Sequence, residues 1–363
     1  MCRLENRMAM FLDVSRSLRR LVHSLVRMSA VWMLAFQFGA PCFAAAPTGV
    51  QNPVVFSEYS ALATNAELID RLFRPLLAQR LHAEAAAAGQ SADARSIDLA
   101  REHFALYVPA NPPASGKYGL LVWIAPLDAA VIPPHWLPVL NKYGVICVTA
   151  AGSGNSANVF SRRIPLAVLS YANVAKAYPI DPARAYIGGL SGGSRVALRV
   201  ALGFPDTFRG ALLNAGSDMF GTPALSPPQA DLFRQFEEGT RLVYVTGSRD
   251  EEHLSMDAHS RESARKLCVT DLQTVDMRGR GHELIDAAAL DRALAALSAP
   301  REANTGLASC RERRAREIDA QLNRVQASID AGDKREAQSR LQEIDERYGG
   351  LAAPRSVELE RRL

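Results

Sequence analysis

The sequence predicts an α/β protein, a mostly parallel sheet covered on both faces by helices, with a helical segment before it and a helical hairpin after it. Three observations predict it. Between residues 101 and 298, short β-branched apolar runs alternate with amphipathic stretches. The runs are apolar throughout rather than every second residue, as strands buried on both faces require. Past Pro300 the apolar residues recur only at helical spacing.

Taken in order, residues 1–46 read as a secretory leader. Arg16, Arg19, Arg20 and Arg27 precede the apolar stretch Met28 to Phe38, and Gly39-Ala-Pro-Cys-Phe-Ala-Ala-Ala46 follows with Ala-x-Ala-like sites. The charged front is long, which leaves Met8, Met10 and Met28 as alternative starts. Pro41 before Cys42 does not fit a lipidation signal. The expected location is periplasmic or secreted, without stable membrane association once the leader is removed.

Residues 47–100 are expected to be a helical segment, with Leu68, Ile69, Leu72, Phe73, Leu76, Leu77 and Leu81 at three- and four-residue steps. Residues 101–298 form the α/β domain. Its expected strands are 103–108, 119–124, 144–149, 184–187, 210–213, 241–246 and 270–275. Its expected helices lie near 134–142, 164–177, 193–203, 228–238, 255–267 and 284–297. Residues 299–363 are a C-terminal helical extension. Ile318, Leu322, Val325 and Ile329 make one stripe and Ala337, Leu341, Ile344 and Tyr348 a second, across the turn Asp330-Ala-Gly-Asp333. Such a hairpin caps the main domain or meets a protein partner.

The balance of 42 basic against 38 acidic residues, net +4, argues against nucleic acid, and no basic run is interleaved with aromatics. Without the leader the cysteines are Cys147, inside an apolar run, and Cys268 and Cys310, whose pairing an oxidising compartment would permit. No Cys–His cluster has metal-ligand spacing, and no nucleotide or flavin motif is present, so no cofactor is expected.

The chemistry concentrates at Gly189-Leu-Ser-Gly-Gly193, a Gly-x-Ser-x-Gly pattern between the strand ending at Ile187 and an amphipathic helix. That context describes a nucleophile elbow, with Ser191 lifted to the end of the sheet and glycines where strand and helix nearly touch. A serine hydroxyl needs a base, itself oriented by a carboxylate. In an α/β-hydrolase the order along the chain is Ser, acid, His. Downstream histidines stand at 253, 259 and 282, and His282 occupies the glycine-bearing loop before the last helix of the domain. Asp250, just past the strand 241–246, is the expected acid. Glu251 and Glu252 are its neighbours and Asp218 an alternative from another loop. The oxyanion donors are expected to be the N–H of Gly192 and one from Ala125-Pro-Leu-Asp128. Pro126 has no N–H, so Leu127 comes first and Asp128 second.

These residues resemble the polyhydroxybutyrate depolymerase-like and feruloyl-esterase-like branch of the α/β-hydrolases. The resemblance runs from about 101 to 298, a little over half of the chain. It rests on Tyr107-Val-Pro109, Ile180-Asp-Pro182, Gly189 to Gly193, Phe204-Pro-Asp-Thr-Phe208, Gly247 to Asp250 and Gly281-His282. It implies a secreted esterase acting on small or polymer-linked esters, with Ser191, Asp250 and His282 as its triad. The usual His-Gly after the oxyanion strand is Ala125-Pro126 here. Two other classes fit the same scaffold: an exported serine peptidase, and an inactive hydrolase-fold protein that binds a partner.

Overall fold

The computed structural model describes residues 47–302 and 304–363, and the expected leader lies outside them. A sheet of eight strands runs through the middle: β1 (Gly49–Val54), β2 (Phe104–Val108), β3 (Tyr118–Ile124), β4 (Val145–Ala150), β5 (Ile180–Leu190), β6 (Gly210–Asn214), β7 (Arg241–Gly247) and β8 (Leu272–Met277), in the order 1-2-4-3-5-6-7-8. β1 pairs antiparallel with β2 and β2 antiparallel with β4, and every later pairing is parallel. All residues of β3, β4 and β7 are buried, which accounts for the unbroken apolar runs.

β1 corrects one expectation. Residues 47–100 are not purely helical, because Gly49–Val54 joins the edge of the main sheet, so a boundary at 101 would cut through paired strands. Only Gly49, Gln51 and Val54 of β1 are partly buried, the rest is exposed, and Pro53 lies within it. An edge strand tolerates a missing donor on its free side. The rest of that segment holds α1 (Asn65–Leu72) and α2 (Pro75–Ala87), which break at Phe73-Arg74 ahead of Pro75.

Helices cover both faces: α3 (Leu137–Tyr143), α4 (Ile164–Ala177), α5 (Gly192–Gly203), α6 (Ala230–Gly239), α7 (Glu251–Lys266) and α8 (Ala287–Ser298). Their inward side chains, among them the fully buried Leu140, Leu166, Leu198, Phe233, Phe236 and Leu290, close the core. Each fully buried large apolar side chain contributes roughly 1.5–3 kcal/mol. Trp136 belongs to the core: its indole N–H donates to Ile285 O at 2.9 Å and its ring packs edge-on against Trp123 at 4.8 Å.

The extension forms α9 (Leu307–Asp330), α10 (Lys334–Tyr348) and α11 (Arg355–Glu360). The apolar stripes of α9 and α10 face each other, and Asp333 caps α10 by accepting from Glu336 N. The pair also packs on the core. Arg314 donates to Glu237 on α6 and to Leu267 O, and Cys268 and Cys310 are bonded, with Cα atoms 5.9 Å apart. Cys147 is buried, and burial pushes its thiol up to about 12.

Candidate active site

The loops that follow β3, β5, β6, β7 and β8 all leave the same C-terminal edge of the sheet, where open α/β sheets place their sites. At the centre, β5 turns into α5 through Ser191 at φ 57°, ψ −121°, a backbone conformation that an L-residue holds only under constraint. Close packing supplies the constraint. A Cβ on Gly193 would lie 2.0 Å from Ile124 O, and one on Gly189 would lie 2.4 Å from the Gly193 carbonyl carbon. The expected elbow is therefore present in both conformation and crowding.

Asp250 ends the turn after β7 and is almost fully buried, with 8% exposed. Its Oδ2 meets His282 Nδ1 at 2.8 Å and its Oδ1 meets His253 Nδ1 at 2.8 Å. The imidazoles stack with centroids 4.1 Å apart. Burial works to raise the Asp250 carboxyl, but the hydrogen bonds and charges of His253 and His282 outweigh it and hold the group below its ordinary value. The backbone zips the two loops together: Ser248 N donates to Met277 O, Arg249 N to Arg280 O, and Gly279 N to Ser248 Oγ. In the sequence His253 stands just after a strand, outside the glycine-bearing loop that holds His282. Its only local signal is its place three residues after Asp250, one helical turn along α7.

Asp250, His253 and His282 offer three metal-ligating atoms within 4.8 Å. Both Nδ1 atoms, however, face the Asp250 carboxylate at 2.8 Å, and the rings stack 4.1 Å apart at 29°. The arrangement suits two imidazoles sharing one carboxylate. The remaining candidates lie elsewhere. His259, Glu251 and Glu252 are exposed on α7. Asp218 pairs with Arg199 at 2.8 Å and Arg195 at 3.6 Å.

Among the described residues the Ser191 hydroxyl makes no hydrogen bond, so the structure joins Asp250 to His282 without closing a bond from His282 to Ser191. What holds the elbow beside the histidine loop is Asn214, fully buried at the end of β6. Its carbonyl accepts from Ser191 N at 2.8 Å. Its side chain donates to Glu283 O at 3.3 Å and accepts from Ile285 N at 2.7 Å. Hydrogen bonds between base and nucleophile are often long before substrate binds.

The turn after β3 is strapped by residues 152–155. Asn155 N donates to Pro126 O at 2.9 Å, Gly152 N to Asp128 O at 2.7 Å, and Gly154 N to Asp128 Oδ1 at 2.9 Å. A Cβ on Gly192 would lie 2.3 Å from Asn155 Oδ1, so the same loop touches the elbow. The two segments expected to supply oxyanion donors, Gly192 and Leu127, thus meet through Asn155. On the rim, Leu127 is 71% and Met219 46% exposed, while Phe220 and Leu225 of the loop 218–229 are buried. That loop is held by the extension, with Ser226 Oγ donating to Glu346 O and Gly350 N to Pro227 O.

No family model matches the chain, and no curated protein is significantly similar to it. Solved structures do resemble it. A ferulic acid esterase is 16% identical, with 54% of this chain and 91% of that one covered at a TM-score of 0.41. The S-formylglutathione hydrolase of Staphylococcus aureus is 12% identical, over 54% and 91% of the two chains, at 0.40. A thermostable esterase is 14% identical at 0.35, and here the chain spans only 51% of its length. The strand order, the elbow at the end of β5 and the carboxylate–imidazole pair beyond β7 and β8 give this chain the α/β-hydrolase fold.

Proposed function

We propose that the protein is a serine hydrolase that cleaves carboxylic esters through an acyl-enzyme. One observation carries the reading: a serine held at φ 57° on a glycine-crowded turn, on the same sheet edge as a buried carboxylate bonded to an exposed-edge imidazole at 2.8 Å. With Nδ1–H donated to Asp250, His282 presents an unprotonated Nε2, the tautomer that takes a serine proton.

Ser191 Oγ attacks the ester carbonyl as His282 Nε2 accepts its proton. The N–H groups of Gly192 and Leu127 receive the oxyanion. The tetrahedral intermediate expels the alcohol, which takes the proton from His282 and leaves an acyl-serine. Water, deprotonated by His282, then attacks the acyl carbon, and collapse of the second tetrahedral intermediate releases the acid as His282 returns the proton to Ser191 Oγ. The substrate class, small or polymer-linked esters, and the placement among polyhydroxybutyrate depolymerase-like and feruloyl-esterase-like enzymes follow from the motifs around Ser191, Asp250 and His282. A periplasmic or secreted location follows from the leader-like residues 1–46 and accords with the Cys268–Cys310 bond.

The test is labelling by a fluorophosphonate together with hydrolysis of short p-nitrophenyl esters, on wild type and Ser191→Ala. Wild type is expected to label at Ser191, and the variant to lose about a thousandfold or more in kcat. Equal rates in the two, or no labelling of wild type, would refute the proposal.

A further inference from the structure

Arg163 is 3% exposed, yet no carboxylate pairs with it among the described residues. Its neighbour Arg162 is neutralised in the ordinary way, by a two-pronged contact to Glu102 at 2.8 and 2.7 Å. Arg163 spends its donors on backbone carbonyls instead: Nε to Ser153 O at 2.7 Å, Nη2 to Ala125 O at 3.2 Å, and Nη1 to Gly192 O at 3.4 Å. An unpaired buried cation is expensive, and an apolar side chain of similar volume would fill the space at less cost.

The three carbonyls are not a random set. Ala125 opens the turn that carries Leu127, Gly192 follows the nucleophile, and Ser153 belongs to the loop that straps the turn to the elbow. One planar fork thus reaches both halves of the expected oxyanion hole and the strap between them. The local chain is shaped to put it there. Val159–Arg163 is a π-helical turn, with Arg163 N donating to Asn158 O and Ile164 N to Val159 O, immediately before Pro165, which has no N–H to continue an ordinary ladder. Burial lowers the guanidinium's pKa, Arg199 adds to this, and Asp128 opposes it.

We infer that Arg163 is a positioning residue for the oxyanion hole, its guanidinium fixing the Ala125 and Gly192 carbonyls so that the neighbouring N–H groups converge on one point. The inference rests on the hydrolase reading above. Fixed donors act on the tetrahedral state and hardly on the ground state, so their loss falls on kcat rather than KM. Losing one oxyanion donor outright costs about 100- to 1,000-fold, and loosening two donors that remain present costs less, roughly 10- to 100-fold.

The experiment compares wild type, Arg163→Met and Arg163→Lys on a p-nitrophenyl ester, with phenylboronic acid as a probe that forms a tetrahedral anion on the serine. For the Met variant, kcat should fall roughly 10- to 100-fold and boronate affinity should fall with it, while KM stays within about threefold. The Lys variant keeps the charge without the fork, so it should show the same paired losses at smaller size, about 3- to 10-fold. The Lys variant also carries the test if the Met variant does not fold. Wild-type kcat and boronate affinity in a folded variant would overturn the inference. So would a fall in kcat with boronate affinity unchanged, which is what general loosening of the fold gives. Failure of wild type to react with a fluorophosphonate removes the hydrolase reading itself. Reactive wild type with unaffected variants removes only the role of Arg163.

Discussion

Asp345 on α10 offers a stability measurement whose size and sign follow from the structure. It is 2% exposed and faces Arg74, at the start of α2, across 2.7 Å. The contact is poorly aligned: neither Arg74 Nε nor Asp345 Oδ1 finds a hydrogen-bond partner among the described residues. Burial therefore wins and pushes the carboxyl from 3.8 up to about 6, against the pull of Arg74 and of the Leu76 N–H. A folded-state value above the unfolded one means that the native protein holds this proton more tightly. The group's contribution is then fully present below pH 3.8 and is lost as pH rises through about 6. At about 1.4 kcal/mol for each pH unit of separation, the loss approaches about 3 kcal/mol. Asp345→Asn removes the titration while keeping the shape. Urea unfolding of both proteins between pH 4 and pH 7, with the disulfide intact, should show wild type losing about 2.4 kcal/mol relative to the variant as pH rises, the rest of the loss lying below pH 4. A difference that stays flat with pH, or that moves the other way, would refute the argument. The result also bears on the site, because α10 continues into Gly350, which holds Pro227 in the loop beside Asp218.

Asp250→Asn should lower kcat by about four orders of magnitude on p-nitrophenyl esters with the fold unchanged, because an amide favours the wrong His282 tautomer. His253→Ala should cost only about tenfold in kcat, the worth of one hydrogen bond, because Asp250 still holds His282 through Oδ2. Cys268→Ser with Cys310→Ser opens a bond spanning 42 residues of sequence and should lower unfolding stability, read in urea, by about 4 kcal/mol in the chain-entropy picture.

The elements legible in the sequence were those whose signal is local. Both-face burial writes an unbroken apolar run into each central strand, and Val145–Ala150 or Arg241–Gly247 can be read from that alone. The elbow is equally local, since strand, glycines, serine and helix are contiguous. β1 was missed because an edge strand is half exposed and carries Gly49, Gln51, Asn52 and Pro53, residues that read as a linker. Asn155, Asn214 and Arg163 were missed for a different reason. Each acts through backbone groups of segments remote in the chain, and nothing in an ordinary Asn or an Arg-Arg pair announces which carbonyl it will meet.

The choice of acid shows where chain order stops and three-dimensional charge takes over. Asp218 and Asp250 both follow a parallel strand at the same sheet edge, so order along the chain offers either to a histidine. The structure separates them by their partners. Asp218 faces the guanidiniums of Arg195 and Arg199 on α5, and a carboxylate so neutralised has little left with which to orient a neutral imidazole or stabilise an imidazolium. Asp250 has no guanidinium partner among the described residues and divides its two oxygens between His253 and His282. Its negative charge is therefore free to favour the proton that His282 would take from Ser191. The occupied Oδ1 also keeps the carboxylate from rotating away from the imidazole it serves. In the proposed mechanism, the second histidine would thus make Asp250 a better orienting acid than a lone surface-loop aspartate.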